Sequence, residues 1–147
     1  MENNTSETLL VKGSLEVPGS YNYLKSVRHF VSILLTLNII KKEETDNIVL
    51  VVDEAVANVI EHSYKCDPTK FLQVYIEVYT KHIKIEIIDR GKSFDFDKFG
   101  DVDLEEYKKE RRKGGLGIYL IKRLIDKAEY KKEEKGFNRL KLIKYLN

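Results

Sequence analysis

DEAVANVIEH, residues 53–62, is the part of this 147-residue chain that carries most structural information. Ala55, Val56, Ala57, Val59 and Ile60 suit a buried helix, and nothing in the run breaks one. Glu54, Asn58 and His62 fall at i, i+4 and i+8, so helical geometry predicts one polar stripe beside an apolar face. Taken alone, such a stripe is also the pattern of a solvated helix edge, and its neighbours have to decide.

Toward the N-terminus, Glu43, Glu44 and Asp46 suit the positive end of the helix dipole, so this helix is predicted from about Lys42–Asp46 to about Tyr64. Asp67-Pro68 stops it. An earlier helix, from the turn Pro18-Gly19-Ser20 to about Leu37, has Leu24, Val27, Val31, Leu34 and Leu35 at helical spacing, with Asn38 near its end. VKGSLEV, residues 11–17, is predicted as the first strand. Beyond the helix, Leu72, Val74, Ile76 and Val78 alternate with polar residues, Thr80-Lys81 allows a tight hairpin, and Ile83, Ile85 and Ile87 share one face. Parity puts Asp89 on that same apolar face, where a carboxylate needs a partner; Asp89 with Gly91 is equally an ordinary turn after a strand.

From Lys92 to Lys113 the chain has no clean period. This stretch opens with Phe94, Phe96 and Phe99 among aspartates and ends in the basic cluster Lys108, Lys109, Arg111, Arg112 and Lys113. A segment of this kind is a functional lid or disorder. GGLGIYLIKRLID, residues 114–126, then starts a helix with a core stripe of Leu116, Leu120, Ile121 and Leu124. Two last strands, about Ala128–Glu133 and Asn138–Leu146, turn at Gly136.

The composition limits the classes available. With 42% apolar residues, the chain suffices for one domain with a real core. Its 26 basic and 24 acidic residues leave +2, which argues against a protein built to grip nucleic acid directly. A single cysteine, Cys66, fits a reducing cytoplasm. Apolar runs such as VSILL and IVLVV fall far short of the roughly 20 residues that span a bilayer, so no membrane role is expected.

Glu-x-x-x-Asn on a helix, a hairpin ending in Asp-x-Gly, a long irregular segment and a Gly-rich turn into a helix is an order that resembles the Bergerat-fold, histidine-kinase-like ATPases. In detail the chain is similar to the bacterial anti-sigma-factor serine-protein kinases: DEAVANVIEH matches their first motif, DRGKSFD the second, KGGLGIYLIKRLID the third, and GFNRLKLIKYL their last strand. The likeness runs from about Val11 to the end. It implies an α+β fold, a two-layer α/β sandwich whose mixed, mostly antiparallel sheet is covered on one face by helices. Residues 1–147 would form one ATPase domain with an ATP lid at about 92–114.

The resemblance makes Glu54 the general base for phosphoryl transfer. Asn58 would give its amide oxygen to Mg²⁺, which takes few protein ligands and leaves the rest to phosphates and water. Asp89 would accept from the exocyclic amine of adenine, favouring ATP over GTP, and Gly91 would let backbone approach the base. Gly115, Leu116 and Gly117 would bind phosphate at a helix N-terminus. Arg111 and Arg112, with Lys113, would clamp the triphosphate, or form a solvated basic patch. Many members carry a Gly-Thr pair that helps read the base; here Phe137 and Asn138 follow Gly136.

The function implied is an ATP- and Mg²⁺-dependent serine-protein kinase and anti-sigma factor. It would phosphorylate an anti-sigma-factor antagonist, sequester a sigma factor and act as a homodimer in the cytoplasm. A histidine kinase is disfavoured because only about ten residues precede the first strand. The alternative is a non-catalytic ATP-binding module that binds a partner protein in a nucleotide-dependent way. A pure binder has no need of a base at Glu54.

Overall fold

Alternation in two adjacent runs builds the centre of the sheet. Strands β2 (Phe71–Tyr79) and β3 (His82–Asp89) turn over at Thr80 and Lys81 and pair antiparallel, with Val78 opposite Ile83, Ile76 opposite Ile85 and Val74 opposite Ile87. These six side chains and Leu72 are closed to solvent on one face, while Gln73, Tyr75 and Glu77 face the other way. That is the pattern of an antiparallel sheet with one covered face. In the computed structural model, residues 6–93 and 115–147 are described.

Strand β1 (Leu9–Pro18) pairs with β2, β5 (Asn138–Tyr145) with β3, and β4 (Lys127–Lys132) with β5. The order is β1-β2-β3-β5-β4 and each of these pairings is antiparallel, so the sheet, expected to be mixed but mostly antiparallel, is wholly antiparallel among the described residues. Edge strand β4 carries exposed Lys127, Glu129, Lys131 and Lys132, which oppose pairing with another chain. Gly136, at φ +81°, makes the β4–β5 turn.

The helices lie on the apolar face. Ser20 accepts from the N–H of Asn22 and opens a 3₁₀ turn, Tyr21–Tyr23, which leads into α1 (Leu24–Leu37). Leu24, Val27, Val31 and Leu35 are buried, Leu34 partly so, and the Asn38 amide donates to Leu34 O (2.7 Å) to close the helix. Helix α2 (Lys42–Asn58) runs against α1, tied by Arg28 Nε donating to Asp53 Oδ1 at 2.6 Å. Helix α3 (Gly115–Leu124) packs against α2.

The core residues of α3 differ from the predicted stripe. Ile118 and Ile121, with Ile125 just after the helix, are buried, whereas Leu120 and Leu124 are only half-buried; the Leu116 side chain lies outside the described residues. The leucines border the buried row, and each fully buried isoleucine contributes about 1.5 to 3 kcal/mol. Among the described residues, no helix is long and apolar enough to cross a membrane.

Candidate functional site

The site is assembled where α2 ends. After Asn58 the helix widens into a π turn, Val59–Ser63, in which the N–H of Tyr64 donates to Val59 O (2.9 Å); just beyond it the N–H of Cys66 donates to Ile60 O (2.8 Å). Lys65 and Cys66, at φ 49° and 61°, then take the chain away from the helix axis. A π turn places one more residue in the circuit than an α turn. Asn58 and Ser63, five apart, are therefore both buried, and His62 is exposed. The predicted stripe of Glu54, Asn58 and His62 thus ends at Asn58.

Asp89 occupies the inward end of β3, as parity requires, and is 2% exposed. Its Oδ1 accepts from the Gly91 N–H and from Asn138 Nδ2, both at 2.9 Å. Asn138 stands directly opposite Asp89 in the β3–β5 register, is itself buried, and donates also to Gly91 O at 3.0 Å. Burial pushes the Asp89 carboxyl above the ordinary carboxylate range, and the bonds from Asn138 and Gly91 pull it partly back. Asn138 is thus the partner that an inward carboxylate demanded. In the sequence the residue stands only as a departure from the Gly-Thr pair, yet parity along β5 with Leu140 and Leu142 points it inward.

Two glycines mark where elements meet. A Cβ on Gly91 would lie 2.5 Å from the backbone O of Ser63, and the Lys92 N–H donates to that oxygen at 3.1 Å. Gly91 therefore lets the end of β3 close onto the π turn, a backbone approach within the protein itself. On Gly117 a Cβ would lie 2.7 Å from Glu54 Oε2 and 3.4 Å from Asn58 Nδ2. The first turn of α3 is seated directly on the Glu54–Asn58 pair, and a side chain at Gly117 would displace the Glu54 carboxylate from its position.

The chemistry of the pair is distinctive. Glu54 is half-buried, and its carboxyl is raised above the ordinary value by burial first and by the neighbouring Asp53 second, the direction that suits a proton acceptor near neutrality. Asn58 is 4% exposed, and its Nδ2 is buried with no hydrogen-bond partner. A polar side chain held inward with unmet capacity fits a group completed by a ligand. Among the described residues, no cluster of His, Cys, Asp and Glu could hold a metal ion alone. A hard cation at Asn58 would need oxygen ligands from a bound phosphate.

Gly115 is the first residue of α3. Arg111, Arg112, Lys113 and Gly114, and the predicted lid from residue 94 onward, lie outside the described residues. A cleft of about 510 Å³ reaches Asp89 and Tyr64, but its walls include Gln73, Ile88 and Arg139 and neither Glu54, Asn58 nor Gly117. It opens at the end of the uncovered sheet face, away from the place where α2 and α3 meet.

Comparison with known proteins identifies the family and the fold. Residues 17–144 match the family model described as histidine kinase-like ATPase domain. Over 124 residues the chain is 32% identical to the serine-protein kinase RsbW of Staphylococcus aureus, covering 81% of this chain and 78% of that protein. Its fold is similar to a chain of the SiaB–SiaC complex from Pseudomonas aeruginosa, with TM-score 0.66, 19% identity, and coverage of 97% of this chain and 93% of that one. It is also similar to the RsbU and RsbW domains of Rv1364c from Mycobacterium tuberculosis, with TM-score 0.59, 16% identity, and coverage of 91% of this chain and 32% of that one. The chain belongs to the histidine kinase-like ATPase domain family, on its RsbW-like serine-protein kinase branch.

Proposed function

We propose that this protein is an ATP-dependent serine-protein kinase and anti-sigma factor, which phosphorylates an anti-sigma-factor antagonist and sequesters a sigma factor. The observation that carries the reading is Gly117, which seats the N-terminal turn of α3 on Glu54 and Asn58. A general base, an inward amide and the start of a helix then share one small volume, as phosphoryl transfer from a nucleotide requires.

In this reading Asn58 holds Mg²⁺ by its amide oxygen, and the metal supplies charge neutralisation on the phosphates. Gly115, Leu116 and Gly117 bind phosphate through the start of α3, with Arg111 and Arg112 closing over it from the lid, residues about 92–114. Asp89 accepts from the adenine amine, and Glu54 takes the proton of the attacking serine hydroxyl. The 32% identity to a serine-protein kinase supports protein as the acceptor. Homodimerisation and a cytoplasmic setting belong to the same proposal.

The test uses one preparation, labelled ATP and candidate antagonists encoded nearby. Glu54→Gln keeps the shape of the side chain and cannot take a proton, and losing a general base costs about 10² to 10⁴ in rate. Single-turnover phosphate transfer should fall by that factor, while ATP affinity and sigma-factor capture in a pull-down persist. Transfer at the unmodified rate would remove Glu54 from the chemistry. If neither protein phosphorylates any antagonist, a nucleotide-dependent binding module becomes the better account.

A further inference from the structure

We infer that Asn138 is the residue that positions Asp89 and sets the base preference of the nucleotide site. This rests on the reading of Asp89 as the group that meets adenine. An asparagine amide nitrogen has two hydrogens and its oxygen has none. Asn138 Nδ2 spends both hydrogens inside the protein, one on Asp89 Oδ1 (2.9 Å) and one on Gly91 O (3.0 Å). Both neighbours are pure acceptors, so the amide can face them only nitrogen first, and its orientation is fixed.

Two consequences follow. Asp89 Oδ1 is occupied by the Gly91 N–H and the Asn138 amide together, so the carboxylate is held in one rotamer with Oδ2 as the oxygen left for a base. Asn138, with its hydrogens committed, can offer a ligand only its carbonyl oxygen. An edge bearing an amine, as in adenine, then meets acceptors; an edge bearing a carbonyl, as in guanine, meets repulsion. A threonine hydroxyl can donate or accept, and does not impose this choice.

Asn138 also fastens the Gly91 carbonyl, and Gly91 is the residue closed onto Ser63 of the π turn. The same amide therefore sets the carboxylate and the turn that follows it. Among the described residues, the charged and titratable groups near Asp89 include Arg90, next in the chain and exposed, the phenol of Tyr64, which accepts from the Arg90 N–H and whose pKa burial raises, and Glu16, Lys70 and Arg139, which line the same cleft.

The test compares Asn138→Leu and Asn138→Thr with the unmodified chain and with Asp89→Asn, measuring ATP and GTP affinity by calorimetry across the acid range. Asn138→Leu should weaken ATP binding about tenfold or more and narrow the ATP-over-GTP ratio. Its acid midpoint of ATP binding should move to higher pH, because the carboxylate has lost a donor. Asn138→Thr, whose hydroxyl can donate to Asp89, should recover the midpoint and part of the ratio. A purely structural asparagine would lower the melting temperature and leave ratio and midpoint where they were; that result overturns the inference. Should Asn138→Leu not fold, Asn138→Asp, of the same size, sets a second carboxyl against Asp89 and should raise the midpoint further; an unmoved midpoint there overturns the inference equally. If the unmodified protein binds ATP and GTP alike, the reading of Asp89 fails first. If it discriminates and Asp89→Asn abolishes this while Asn138→Leu does not, only the role of Asn138 fails.

Discussion

At the scale of single residues, the protein carries groups that oppose its own stability. Asp89 has a carboxyl whose native pKa lies above its ordinary value of 3.8, because burial disfavours the charge. A group raised in the native state binds its proton more tightly there than in the unfolded chain, so stability is greatest below the ordinary pKa. It falls as pH rises through the window between the two values. Glu54 contributes in the same direction. Asp89→Asn should remove its share of this loss: the asparagine oxygen can still accept from Gly91 and Asn138, and no charge remains to be buried. Thermal melts of the nucleotide-free variant should therefore show a flatter descent from acid toward neutral pH. Its amide nitrogen would face the adenine amine, and losing a charge-assisted bond costs about 1.5 to 3 kcal/mol, or roughly one to two orders of magnitude in ATP affinity. An unmodified affinity would remove Asp89 from base recognition, whatever the melts showed.

At the scale of elements, the two glycines make opposite predictions from similar crowding. A Cβ on Gly91 meets the Ser63 backbone O at 2.5 Å and C at 2.7 Å, which cannot yield without moving the π turn. Gly91→Ala should destabilise the fold by about 1 to 3 kcal/mol, as overpacking does, with nucleotide affinity falling in parallel. At Gly117 the nearest atom is the far end of Glu54, which can swing away, and alanine is the better helix former by about 0.8 to 1 kcal/mol. Gly117→Ala should melt no lower than the unmodified chain and lose phosphate transfer through a displaced Glu54; a variant that is both stable and fully active would contradict the seating of α3. Periods of 2 and 3.6 made the strands and helices legible from sequence, along with the inward place of Asp89. The π turn was not legible, since nothing in Val59–Ser63 breaks an α-helix and only a shift of hydrogen-bond partner to Val59 distinguishes it. Nor was the pairing of Asn138 with Asp89, which joins residues 49 apart and depends on the register of β5 against β3.

At the scale of the whole molecule, the candidate groups come from distant parts of the chain that the core brings to one end. Glu54 and Asn58 are fixed by α2, Asp89 by the sheet and Gly117 by α3, and the buried side chains of all three elements join one hydrophobic core. The order of the motifs was enough to predict the family. What links them across elements was not readable, because it consists of contacts between residues far apart in the chain: Gly91 against the Ser63 backbone, Gly117 against the Glu54 and Asn58 side chains, and Asn138 on Asp89. A nucleotide bound among these groups ties α2, β3 and α3 together only in the native state, so it should stabilise the fold by mass action. At a hundredfold excess over Kd, the gain is about 2.7 kcal/mol. A domain of this size gains about 2 to 4 °C for each kcal/mol, so ATP with Mg²⁺ should raise the melting temperature by roughly 5 to 11 °C. Asn58→Ala removes the amide assigned to the metal and leaves the apolar face of α2 intact. Its melt in ATP should not respond to Mg²⁺, and should match that of the unmodified protein in ATP with EDTA. If the metal still raises the melting temperature of Asn58→Ala as far as that of the unmodified chain, the cation is held elsewhere.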